Sequence, residues 1–162
     1  MERTRNLKLN ILLLTLVSGL LFLACSDDKK EMEPMPVIET ISGTVAFTNI
    51  GARAFVFTAV TGSGISTDLN VENAPLTLKI GSRYQFINNA GAGHPFQILG
   101  IGNTILLSQN NVEGTLEKDN QVNYQVDGMN ITFTLTQNLA VQIAPYICGN
   151  HSSMSGRINA VN

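Results

Sequence analysis

Tryptophan is absent from the 162 residues, and histidine and cysteine occur only twice each. Charged residues make up 14% of the chain, with 10 Lys+Arg against 12 Asp+Glu and a formal charge of −2. No run of basic residues exceeds two. Nucleic-acid binding draws on Lys and Arg that neutralise phosphates, so no nucleic-acid partner is expected. No P-loop, G-x-S-x-G or H-E-x-x-H is present. With so few side chains suited to chemistry, the chain is expected not to be an enzyme, and no residue is assigned a catalytic role. Hydrophobic residues, at 44%, are ample for the packed core of one domain.

The N-terminus reads as an address. Arg3, Arg5 and Lys8 precede an apolar stretch from Leu9 to Leu23, the basic n-region and apolar h-region of a signal peptide. The run falls short of the roughly 20 apolar residues of a membrane span. It ends in Leu21-Phe22-Leu23-Ala24-Cys25, which resembles a bacterial lipobox, although Phe22 stands where leucine is usual. That resemblance implies a signal peptide over 1–24 and lipidation of Cys25, with membrane attachment through the lipid. Residues 25–36, charged and carrying Pro34 and Pro36, have no hydrophobic period and read as a flexible linker. The domain expected to do the work is 37–162, lipid-anchored at the cell envelope outside the cytoplasm.

Beyond Val37 the pattern has a period of two. Leu76, Leu78 and Ile80 alternate with Thr77 and Lys79; Tyr84 and Phe86 alternate with Arg83, Gln85 and Ile87; Ile131, Phe133 and Leu135 alternate with threonines. Half-buried strands are written this way. Further strands are expected near 44–49, 53–60, 94–99, 103–108, 115–117, 121–126, 140–148 and 156–161. The phase changes inside 140–148, where Pro145 lies between Ile143 and Tyr146, so a bulge or restart is expected there. Many short strands separated by glycine-bearing turns give an all-β fold, an antiparallel sandwich or barrel.

The chemistry is concentrated near the C-terminus. Cys148-Gly149-Asn150-His151-Ser152-Ser153-Met154 contains C-x2-H-x2-M. The only other histidine is His94, in Gly91-Ala92-Gly93-His94-Pro95-Phe96. A thiolate, two imidazoles and a weak thioether form the donor set of a type 1 copper centre. Cys148 ends one expected strand and the next begins near Gly156, which puts His151 and Met154 on one tight loop. Sites on loops are held in shape by the sheet scaffold beneath them.

Three segments, 75–86, 88–94 and 146–158, resemble the cupredoxins, the plastocyanin, amicyanin and azurin family of Greek-key β-sandwich proteins. The C-x2-H-x2-M spacing is that of amicyanin. The resemblance implies one copper ion with His94, Cys148 and His151 as equatorial ligands and Met154 as axial ligand. It also implies a weak contact from Gly93, which stands where azurins turn a carbonyl toward the metal. His151 would be the electron exit, set among Ala90, Ala92, Pro95 and Gly149. The implied activity is single-electron shuttling between envelope redox partner proteins, met transiently by a monomer. Two positions depart from the family. Pro95 replaces an asparagine whose N–H donates to the thiolate sulfur, and Ile147 replaces a tyrosine used toward some partners.

Other readings account for less. A Cys–His nucleophile leaves His94 and Met154 unexplained and carries no cysteine-protease signature. Zinc accepts Cys/His2, but a methionine fourth ligand suits copper better. A copper-carrying or copper-buffering lipoprotein would use the same ligands. A metal-free β-sandwich binding module would use none of them.

Overall fold

The computed structural model describes residues 40–110 and 112–162; the expected signal peptide (1–24), the expected linker (25–36) and Cys25 lie outside them. The strands are β1 (Gly43–Ile50), β2 (Ala54–Gly62), β3 (Ile65–Thr67), β4 (Leu76–Lys79), β5 (Arg83–Asn88), β6 (Phe96–Gly100), β7 (Ile105–Ser108), β8 (Gln125–Asp127), β9 (Asn130–Thr134), β10 (Ile143–Cys148) and β11 (Ser155–Val161). They form a five-stranded sheet in the order β2-β1-β5-β9-β8 and a six-stranded sheet in the order β3-β4-β11-β10-β6-β7. Side chains from both sheets fill one core. Val45, Phe47, Phe57, Phe86 and Phe133 come from the first sheet, and Leu76, Leu78, Phe96, Ile98 and Tyr146 from the second. Alternation explains the split, because successive strand residues face opposite sides of a sheet.

Both sheets are mixed rather than antiparallel throughout: β1 runs parallel to β5, and β4 parallel to β11. The cause is the route of the chain. After β2 it leaves the first sheet, builds β3 and β4 in the second, and returns as β5 along the free edge of β1 in the same direction. The parallel pair ends with Phe47 opposite Asn88, and the Asn89 N–H extends it by donating to the Phe47 carbonyl at 2.8 Å. The ends of β1 and β5 are therefore side by side.

Three expected elements differ. Residues 115–117 form a turn in which Thr115 and Leu116 still donate to the carbonyls of Ile105 and Leu106, at 2.9 and 3.0 Å. The region after it is turned by Asp119, whose carboxylate accepts the Gln121 N–H and whose carbonyl accepts the Asn123 N–H. Of the expected 121–126 strand only 125 and 126 are extended, within β8 (Gln125–Asp127). Residues Gln137–Ala140 make a single turn of α-helix (α1), capped by the Thr136 hydroxyl accepting from the Leu139 N–H at 3.1 Å. β10 therefore starts at Ile143, three residues later than expected. The shift at Pro145 does occur: Ile143 lies opposite Gly100 but Tyr146 opposite Ile98, so β10 carries one extra residue against β6.

Aromatic rings centre the core. Phe47 meets Phe55 edge-on at 5.1 Å and Phe96 at 5.1 Å, and Phe96 stacks on Tyr146 at 5.4 Å. Each such pair contributes about 0.5–1.5 kcal/mol beyond the area it buries. Phe96 is also the cross-strand neighbour of Cys148. The aromatic cluster thus reaches the strand position opposite Cys148.

Candidate metal centre

Cys148 is the last residue of β10, and its side chain is only 2% exposed. The six residues 149–154 then return the chain into β11. Two turns shape this loop: His151 N–H donates to the Cys148 carbonyl at 3.3 Å, and Met154 N–H to the His151 carbonyl at 3.1 Å. The Cys148 N–H closes it by donating to the Met154 carbonyl at 2.9 Å. His151 is left half-buried at the rim, while Met154 is fully buried in the core.

His94 arrives from the other side. It sits in the loop between β5 and β6 rather than on β6, which begins at Phe96. A turn from the Gly91 carbonyl to the His94 N–H (3.0 Å) and the missing N–H of Pro95 keep the strand from starting earlier. Three consecutive carbonyls are captured here. Gly93 accepts from Asn150 Nδ2 at 2.9 Å, His94 from Asn88 Nδ2 at 2.9 Å, and Pro95 from the Gly149 N–H at 2.9 Å. Asn88 is itself buried, donating also to Gln109 Oε1 and accepting the Ala90 N–H, each at 2.8 Å. Gln109 Oε1 takes the Phe96 N–H at 2.9 Å as well. The backbone on both sides of His94 is therefore fixed by amide groups that bury few unsatisfied atoms.

The outcome is a compact donor group. Cys148 Sγ lies 3.6 Å from His151 Nδ1 and 3.9 Å from His94 Nδ1. The imidazole rings are 4.8 Å apart, and all three donor atoms lie within 4.8 Å of one another. A first-row ion with sulfur at about 2.3 Å and nitrogen at about 2.0–2.1 Å, bonded at about 109–120°, separates S and N by about 3.6–3.8 Å. The observed distances match that spacing, so the three side chains could hold a metal ion. No carboxylate joins them among the described residues. One sulfur and two imidazole nitrogens favour copper or zinc over magnesium or calcium.

The sequence reading named His94, Cys148 and His151, and the structure brings them together. Met154 lies on the same loop, and Gly93 offers its carbonyl to Asn150. Around His151, Gly149 and Ala92 are exposed and Ala90 is half-buried, but Pro95 is buried rather than part of an exposed patch. The sequence reading missed Asn49, whose Nδ2 lies 3.1 Å from His94 Nε2, as well as the supporting roles of Asn88, Gln109 and Asn150. Asn88 had a visible signal, since it shares the inward parity of Tyr84 and Phe86. Asn49 had none.

Comparison with protein-family models, curated proteins and solved structures finds no match to this chain. Fold and site together define a class: a mostly β domain of two mixed sheets carrying a Cys/His2 group able to hold a metal.

Proposed function

We propose that the chain is a type 1 copper protein with a cupredoxin-like Greek-key sandwich, relaying single electrons between proteins of the cell envelope. The observation that carries this reading is the approach of both histidine Nδ1 atoms to the buried Cys148 sulfur at metal-spanning distances. Copper, when bound, supplies a Cu(II)/Cu(I) couple that accepts or gives up one electron. The chain's own part is to keep the donors in one arrangement for both oxidation states. The captured carbonyls at 93, 94 and 95 hold His94, and the closed 148–154 loop holds Cys148, His151 and Met154, the residues that with His94 would hold the copper. Burial of Cys148 and Met154 keeps water away from the sulfur donors.

His151, half-buried at the rim, is the exit. Exposed residues on the same loops, Ala92, Gly93, Gly149, Asn150, Ser152 and Ser153, are uncharged. Such a face suits brief encounters with redox partners, which occupy the small end of interface sizes. A lipid on Cys25 and the 25–36 linker would keep the domain at the membrane surface.

The test is the visible and paramagnetic-resonance spectrum of the full-length protein with Cu(II). An intense thiolate-to-copper band is expected, and it should vanish in Cys148→Ser. A colourless protein refutes the reading and leaves a metal-free binding module. The half-exposure of both imidazoles also suits copper carriage, in which an acceptor's ligands displace them in turn. Sluggish electron self-exchange together with fast copper transfer to a chelating acceptor would favour that role.

A further inference from the structure

His94 has a partner on its far side. Asn49 Nδ2 lies 3.1 Å from His94 Nε2 and 2.9 Å from the Gly51 carbonyl. Asn49 is on β1, and it reaches the site because β1 runs parallel to β5 and continues past its end. Two residues past the Phe47–Asn88 pair, β1 passes beside the loop that carries His94. The β1–β2 turn is attached to the other ligand loop too, since Ser153 Oγ donates to the Ala52 carbonyl at 2.7 Å; the same Ser153 accepts at its carbonyl from Asn73 Nδ2 of the β3–β4 connection at 3.1 Å.

We propose that Asn49 is a positioning residue of the metal centre, holding the His94 ring with Nδ1 toward Cys148 and tuning that nitrogen as a ligand. The proposal rests on the metal-binding reading above. An imidazole that ligates through Nδ1 carries its proton on Nε2, and the group meeting that proton fixes the ring and its basicity. An amide can serve the ring with or without a bound metal. Nδ2 donates to a bare Nε2, and Oδ1, after rotation of the amide, accepts from Nε2–H. With Nε2 bare the proton sits on Nδ1, so metal binding moves the proton to Nε2 and turns the amide at the expense of the Nδ2–Gly51 bond, while the same side chain holds the ring's position in both states. The 3.9 Å from His94 Nδ1 to Cys148 Sγ is the geometric result.

The experiment compares the full-length protein with Asn49→Ala and Asn49→Asp. Co(II) is the probe, titrated by competition and read from its thiolate charge-transfer band; thermal unfolding of the metal-free proteins is followed alongside. Asn49→Ala is expected to weaken Co(II) binding about 10–100-fold, the usual effect of removing a group that orients a ligand, with little change in the metal-free midpoint. Asn49→Asp is expected to bind at least as tightly as the parent, because a carboxylate accepts from Nε2–H. A purely structural asparagine would not show that rescue. Unaltered binding by Asn49→Ala overturns the proposal, as does Asn49→Asp binding as weakly as Asn49→Ala. Should Asn49→Ala not fold, Asn49→Asp decides alone, and affinity below the parent's refutes. A parent protein that gives no thiolate band with Co(II) overturns the metal-centre reading as well; a band in both proteins with equal affinity in parent and Asn49→Ala overturns only the role of Asn49.

Discussion

The Gly149 N–H donates to the Pro95 carbonyl at 2.9 Å, tying the residue after the buried thiol to the residue after the first imidazole. The bond continues the β6–β10 ladder one step past the Phe96–Cys148 pair and so brings the two ligand loops together. It also explains the glycine. A Cβ at 149 would lie 2.9 Å from Asn110 Nδ2 and 3.1 Å from Gln97 Nε2. Gln97 Nε2 already donates to Ser108 Oγ and Asn110 Oδ1, at 3.0 and 3.2 Å, so these amides are not free to swing aside. Gly149→Ala is expected to destabilise the metal-free protein by about 1–3 kcal/mol, the range for overpacking a close-fitted site. Urea unfolding checks this, and Co(II) affinity should fall with it. Unchanged stability would mean that the amides yield at no cost.

Pro95 leads to a second expectation. Having no N–H, it donates nothing to Cys148 Sγ. Pro95→Asn supplies a donor at that position, and a hydrogen bond to the thiolate withdraws charge from the sulfur and favours the reduced metal. The copper potential of Pro95→Asn, measured by voltammetry, is therefore expected to rise. A hydrogen bond to a charged group contributes about 1.5–3 kcal/mol, which bounds the change because both oxidation states keep part of it. An unchanged or lowered potential would show that position 95 does not address the sulfur.

Cys148→Ala separates a metal site from a buried thiol that serves only the core. Loss of one buried sulfur should cost about 1 kcal/mol, near the centre of single-substitution effects. A ligand that binds only the folded state adds about 2.7 kcal/mol at a hundredfold excess over its dissociation constant. The parent's melting midpoint should therefore rise on adding Cu(II) or Co(II), and that of Cys148→Ala should not. Equal responses in the two proteins would assign the stabilisation to some other site.

Local features were the legible ones. The alternating runs mark the inward side chains of β4, β5 and β9: Leu76 and Leu78, Tyr84 and Phe86, Ile131 and Phe133 are all buried. Cys148, His151 and Met154 share one short loop, so their spacing alone brings them near one another. His94 could be joined to them only by chemistry, as the single remaining histidine. What the sequence hid is set by strand pairing. Nothing local to Asn49 shows that β1 runs parallel to β5 and continues past its end, and nothing near Gln109 shows that it will meet Asn88. The expected strands at 115–117 and 121–124 do not form: 115–117 is a turn, and beyond it Asp119 takes the Gln121 and Asn123 N–H groups and turns the chain before a strand can extend.

Two phenols, those of Tyr146 and Tyr124, set an alkaline limit on stability. Burial raises Tyr146 well above its ordinary value of 10.0, and burial aided by the negative charge of Glu117 does the same for Tyr124. When the folded value exceeds the unfolded one, the unfolded chain loses its phenolic protons first as pH rises. The stabilising contribution is thus complete below about pH 10 and is lost progressively as pH climbs toward the folded values. Tyr146→Phe removes one of the two groups together with its hydrogen bond to the Ala74 carbonyl, 2.8 Å long. At neutral pH that variant should be less stable by about 1 kcal/mol, the net contribution of such a bond. Above pH 10 the gap should narrow, because only the parent pays to keep the Tyr146 phenol protonated. Parallel stability curves from pH 8 to pH 12 would show that Tyr146 ionises as readily folded as unfolded, and that its burial beside Phe96 does not hold its proton.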